Sequence, residues 1–157
     1  MTLTLTPASE FSISQLSDLL TRGFEDYFFP IHITEDVFLA MLRRDSIDLT
    51  ASRVILKGGE PIGIGLIARR GWTSRLAAMG IVVNARNGGV GTWAMEQLIE
   101  EAKARDERQM LLEVIDQNVA GVKLYEKVGF EKVRRLVGYK IENPQVEVKH
   151  QLEEMDI

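Results

Sequence analysis

Residues 81–92 read Ile81-Val82-Val83-Asn84-Ala85-Arg86-Asn87-Gly88-Gly89-Val90-Gly91-Thr92, a β-branched run that passes into a glycine-rich loop. Beyond the loop, Val90, Trp93, Ala94, Leu98 and Ala102 recur at helical spacing and predict a helix from about Gly89 to Arg105. A strand therefore hands over to a helix through glycines. Glycines there leave backbone N–H groups unobstructed at the end where the helix dipole favours negative charge. A pyrophosphate suits such a cradle, held by Asn87, Gly88, Gly89, Val90, Gly91 and Thr92, with Arg86 as an added counter-charge. A loop whose glycines only permit close helix–sheet packing explains the same residues. A P-loop is excluded, because Gly91 is followed by Thr92-Trp93 instead of Lys-Ser/Thr. Gly89, Gly91 and Ala94 satisfy a dinucleotide fingerprint, with Glu113 or Asp116 about twenty residues on. Against that reading, Asn84–Gly88 separate the strand from the first glycine, and a glycine-punctuated antiparallel meander precedes it.

Downstream, Met110–Ile115 is almost continuously apolar, as expected of a strand covered on both faces. Asn118–Val128 reads as a helix stopped by Gly129, and Phe130–Ile141 reads as a strand. Upstream, Leu76–Val83 is a strand, preceded by the turn Gly71–Ser74 and by a hairpin, Ser52–Lys57 and Pro61–Arg69, closed by Gly58-Gly59. Thr34 begins a helix through about Arg43. Ser9 is placed to cap another, with Ile13, Leu16, Leu19 and Leu20 on one face up to Gly23. Thr2–Thr6 alternates like a half-buried strand. This order predicts one α/β domain over residues 1–157: a mixed, largely antiparallel sheet with helices packed against it.

Val83–Phe130 resembles the acetyl-CoA-binding half of the GCN5-related N-acetyltransferases. Arg86, Gly89 and Gly91 match the signature [Arg/Gln]-x-x-Gly-x-[Gly/Ala], and Asn118, Leu124-Tyr125 and Gly129-Phe130 match the second. The family's usual Ala is Gly121 here. The stretch Leu112–Phe130 is similar to the ribosomal-protein alanine acetyltransferases within that family. The resemblance implies helices on both faces of the sheet and two central strands that splay apart. It implies acetyl-CoA as cosubstrate, with pantetheine along Ile81, Val82 and Val83, pyrophosphate on 87–92, and Asn118 and Tyr125 near the thioester. Tyr125 is then the general acid for the leaving thiolate, and Glu113 the candidate base, with a water relay as its competitor. Without the resemblance, Tyr125 is a core tyrosine and Glu113 a loop cap or the partner of an arginine such as Arg75 or Arg134.

Phe24-Glu25-Asp26-Tyr27-Phe28-Phe29 lies between the first two helices, which border the acceptor site in that family. Phe24, Asp26 and Tyr27 are the expected amine-binding residues, through charge and cation–π contact, and a hydrophobic latch is the alternative. Small amines, amino acids and peptide N-termini all remain open as acceptors. A non-catalytic acetyl-CoA-binding module is a rival from another class, and a dinucleotide oxidoreductase a third.

Composition narrows the rest. The 157 residues are 45% hydrophobic and 27% charged, ordinary for a chain that buries a core. A net charge of −4 argues against a general nucleic-acid binder, which needs a basic face. With no cysteine and two histidines, thiolate metal sites and a cysteine nucleophile are excluded, and no metal site is expected. No apolar segment approaches the roughly 18 residues needed to span a bilayer, and no leader pattern is visible, so no membrane partner and a cytoplasmic location are expected. A homodimer is allowed by the tail, where Val146–Lys149 reads either as a strand or as a frayed end.

Overall fold

The computed structural model describes residues 2–142 of the chain. Five strands form one sheet in sequential order: β1 (Leu3–Pro7), β2 (Arg53–Lys57), β3 (Glu60–Arg70), β4 (Thr73–Ile81) and β5 (Gln109–Leu112). The first three pairings are antiparallel, and β4 with β5 is parallel. Four helices accompany it: α1 (Ile13–Gly23), α2 (Glu35–Arg44), α3 (Val90–Ala104) and α4 (Val119–Lys127). This is the mixed, mostly antiparallel architecture that the order of elements predicts.

The two faces follow from strand alternation. On one, Ile64 and Leu66 of β3 join Leu16, Leu19 and Leu20 of α1 and Phe38 of α2 in the core. On the other, Ile67 of β3 and Leu76 of β4 pack with Met95 and Leu98 of α3, with Leu124 and Tyr125 of α4 against them. Helices thus cover both faces. Gly23 at the end of α1 meets Gly80 of β4 backbone to backbone, for a Cβ on Gly23 would lie 2.8 Å from the Gly80 Cα.

The splay between β4 and β5 has a local cause. Leu66 pairs with Ala78 but Ile67 pairs with Leu76, so Ala77 is an extra residue in β4. Such a bulge bends its strand and sharpens the local twist. The pairing with β5 ends at Leu76, one residue before it. Ala77–Ile81 therefore has β3 on one side and, among the described residues, no strand on the other.

Several expectations need correction. Helix α1 is capped by Ser12, not Ser9: the Ser12 hydroxyl accepts from the Gln15 amide at 3.1 Å, and Gln15 Oε1 accepts from the Ser12 amide at 2.8 Å. That reciprocal box satisfies two donors, whereas Ser9 sits in a short 3-10 turn, Ala8–Glu10. Strand β4 starts at Thr73 and ends at Ile81, leaving Val83 in a second 3-10 turn, Val83–Ala85. Residues 130–141 form no strand. Val133 is 84% exposed and Tyr139 97%, and the segment pairs with no strand among the described residues. Alternation there expresses propensity alone, and a strand needs a partner for its backbone. The tail reading at Val146–Lys149 lies outside the described residues.

Candidate active site

The loop after β4 begins with the 3-10 turn and then takes two left-handed residues, Asn87 (φ 64) and Gly89 (φ 78). Asparagine is one of the few side-chain-bearing residues that adopts this conformation readily. Gly89 is the N-cap of α3 and offers no side-chain cap. Among the described residues, the amides of Gly89, Val90, Gly91 and Thr92 donate to no protein acceptor, and the first bond of the helix runs from Trp93 N to Gly89 O. Four donors without acceptors at the positive end of a 15-residue helix are the arrangement that favours an anion.

The glycines of the loop do different work. A Cβ on Gly88 or Gly89 would meet nothing within 4 Å, so both border open space. A Cβ on Gly91 would lie 3.3 Å from Leu124 Cδ2, so this glycine lets α3 approach α4. The packing explanation is correct for Gly91 and does not account for Gly88. Open faces and free amides leave room beside the loop for an anionic ligand.

Arg86 does not extend into that cradle. Its Nε donates to Ile81 O at 2.8 Å, and its Nη2 donates to Gly23 O at 3.0 Å and Glu25 O at 2.8 Å. The guanidinium ties the end of β4 to the end of α1, so the role of counter-charge is replaced by a structural one.

Backbone parity sorts the three strand residues expected along the pantetheine. Val82 N donates to Ile62 O at 2.9 Å, which turns Val82, and by alternation Gly80, towards β3. Met79 and Ile81 consequently face the side that β5 has left. Val82 is buried and Val83 has left the strand. Met79, which sequence reasoning did not single out, thus joins Ile81 on this open edge, and only the phase of the β3–β4 ladder identifies it.

Asn118 caps α4, its Oδ1 accepting from the Gly121 amide at 2.9 Å. A Cβ on residue 121 would come within 2.5 Å of Asn118 Nδ2, so Gly121 is what lets this side chain fold over the helix start. One helical turn further on, Tyr125 is partly buried, edge-to-face with Phe130 at 6.0 Å between ring centroids. Its hydroxyl has no hydrogen-bond partner among the described residues. Burial raises its pKa above the ordinary 10.0, and nearby Tyr27 adds to the rise. Tyr125 therefore stays protonated at neutral pH, close enough to Tyr27 for charge on one to act on the other.

Tyr27 itself belongs to the segment after α1. Its ring meets Phe24, Phe28 and Phe29 edge-on at 5.1–5.2 Å, and burial raises its pKa as well. Phe24 packs on the core, whereas Phe28 and Phe29 are 55% and 51% exposed and touch the Tyr27 ring without joining the core. Asp26 is exposed in a left-handed turn (φ 61). Glu113 follows β5 instead of lying within it, 63% exposed, with Oε1 3.9 Å from Arg75 Nη1. The expected arginine partner is thus Arg75, which also reaches Asp45 at 3.4 Å. Strand phase puts Glu113 on the α2 face, beside Arg75 and Leu111, while Tyr125 comes from the α3–α4 side. The two candidate proton carriers approach the splay from opposite faces. No cluster of potential metal ligands occurs among the described residues, and no helix among them is long and apolar enough to cross a membrane.

Comparison with known proteins bears on this site. The model of the acetyltransferase (GNAT) family matches residues 13–130. No curated protein sequence matches the chain. Among solved structures, the ribosomal-protein-S18-alanine N-acetyltransferase of Escherichia coli superposes with a TM-score of 0.70 at 20% identity, covering 85% of this chain and 80% of its own. An N-acetyltransferase from Staphylococcus aureus Mu50 gives 0.69 at 19% identity, covering 90% and 92%. The aminoglycoside N-acetyltransferase AAC(6')-Iy in complex with CoA gives 0.62 at 15% identity, covering 89% and 93%. At these identities the likeness establishes the fold.

Proposed function

Because the chain belongs to the acetyltransferase (GNAT) family, we propose that it acetylates an amine by direct attack on the thioester, with Tyr125 as general acid. The chain is an N-acetyltransferase with acetyl-CoA as its cosubstrate. The observation that carries the assignment of residues is the start of α3, where four amides lack acceptors beside the open faces of Gly88 and Gly89. In this reading the amides of residues 87–92 hold the diphosphate, and Met79 and the Ile81 amide face the pantetheine, the Ile81 carbonyl being held by Arg86. Asn118 fixes the start of α4 and so aims Tyr125 at the splay.

When bound, the thioester supplies an activated acyl carbon and a sulfur leaving group. The acceptor must arrive as a neutral amine whose nitrogen bonds the acyl carbon as the carbon–sulfur bond breaks. Tyr125 donates its phenolic proton to the departing thiolate, and its raised pKa keeps that proton available at neutral pH. Glu113, on the opposite face, takes the proton the amine sheds. Phe24, Asp26 and Tyr27 line the acceptor's approach, where the aromatic faces and the Asp26 carboxylate suit a cationic amine before it loses its proton. The acceptor class is an amine-bearing small molecule or peptide N-terminus.

Steady-state kinetics of two variants tests both roles. Tyr125→Phe should lower kcat by about 10²-fold or more while the affinity for acetyl-CoA holds. Glu113→Gln should lower kcat/KM by about 10²-fold or more. Undiminished turnover in the first variant takes Tyr125 out of the reaction, and an undiminished kcat/KM in the second passes the base role to water.

A further inference from the structure

Beside Glu113, on the α2 face of the sheet, lies an open depression of about 270 Å³ lined by Arg44, Asp45, Arg70, Thr73, Arg75 and Leu111. Its charges are unbalanced. Arg44 grips Asp45 with Nε at 3.2 Å and Nη2 at 3.0 Å, and Arg75 divides itself between Asp45 and Glu113. Arg70 donates only to the Ser46 hydroxyl, from Nε at 3.3 Å and Nη2 at 3.0 Å, and pairs with no carboxylate among the described residues. Three guanidinium groups therefore face two carboxylates in a chain whose net charge is −4. An acidic protein that gathers a cationic surplus at one spot has a local place for an anion.

The position of that surplus fixes what the anion belongs to. Thr73, the partner of Arg70 across the ladder, and Arg75 share the face of β4 that Glu113 joins. Arg75 lies two residues and Thr73 four residues before Ala77, where β4 and β5 part. At about 3.3 Å per residue these are roughly 7 and 13 Å from the splay. We infer that the acceptor is an amine carrying a carboxylate about 7–13 Å away, as in a peptide with an acidic side chain two or three places from its N-terminus. Arg70 receives that carboxylate through its fork of donors, while the amine enters the splay between Glu113 and Tyr125. The inference rests on the acetyl-transfer reading and adds the acceptor's charge to it.

Calorimetry on the full chain, free and saturated with CoA, tests the inference with two hexapeptides that differ only in Glu or Gln at the third residue. The Glu peptide should bind the wild-type protein about tenfold tighter, with a preference that fades as salt rises. In Arg70→Gln the ratio of the two affinities should fall to about one. Equal affinities in the wild type, a preference for Gln, no heat from either peptide, or a preference that survives in the variant would each overturn the proposal. The heat of CoA binding is read separately. Its absence defeats the acetyl-transfer reading, and the peptide ratio in the free protein still decides this one.

Discussion

A guanidinium next to a loop of free amides invites an electrostatic role, and Arg86 illustrates how a side chain can be committed elsewhere. Its partners are the carbonyls of Ile81, Gly23 and Glu25, two of them more than sixty positions away in sequence. The signature Arg-x-x-Gly-x-Gly specified the residue type and could not specify those acceptors, because any carbonyl suits a donor with five N–H groups. The consequence is measurable. Arg86→Met should raise the KM for the acceptor, since the segment 24–29 loses its tether, while the Kd for acetyl-CoA stays within about threefold. A loss of about tenfold or more in that Kd would restore Arg86 to the diphosphate. Met79 makes the converse point: it has no chemical handle in its side chain, and its backbone gains a role only from its phase in the ladder.

Among the elements, those with strong periodicity and a clear stop were legible. Helix α3 was visible from its apolar spacing, because local pattern and tertiary burial agree there, and α4 from its cap at Asn118 and its stop at Gly129. The bulge at Ala77 was not legible, since nothing about Ala-Ala-Met distinguishes an extra residue from a paired one. Nor was the fate of 130–141, where good alternation meets a β5 of only four residues. The loop before α3 yields the cleanest test at this scale. Gly88 has ordinary backbone geometry and empty space where a Cβ would go, so the fold itself does not require glycine there. Gly88→Ala should leave the Tm essentially unchanged, within about 0.5 kcal/mol of stability, yet weaken CoA binding because the methyl enters the ligand's space. Unaltered CoA affinity in a stable Gly88→Ala protein would move the diphosphate off this loop.

Over the whole molecule, one ionic cluster joins distant parts of the sheet. The Glu107 side chain is 1% exposed and accepts from Arg69 Nε at 2.9 Å and Arg105 Nε at 2.8 Å, while Arg69 also reaches Asp48 at 3.3 Å. Burial works against the charged Glu107, and hydrogen bonds from Arg105 and Arg69 outweigh it, so its pKa falls below 4.5. A carboxylate with a depressed folded pKa adds stability that is present above its unfolded value and lost as pH drops through the folded one. The wild-type Tm should therefore decline below about pH 4.5 more steeply than that of Glu107→Gln, which should already be less stable at pH 7 by about 1–3 kcal/mol. Parallel acid limbs in the two proteins would remove Glu107 from the acid response. At the far end of the sheet, the Gly23–Gly80 contact carries a kinematic consequence. With two bare α-carbons abutting and Arg86 donating to both Gly23 O and Ile81 O, the first helix is welded to the strand it crosses, and Thr21 Oγ1, bonded to both N and O of Ile33, ties that helix to the residues before α2. In the proposed function, admission of an acceptor then falls to the span between Phe24 and Ile33, a short hoop anchored at both feet, while the wall behind it stays fixed.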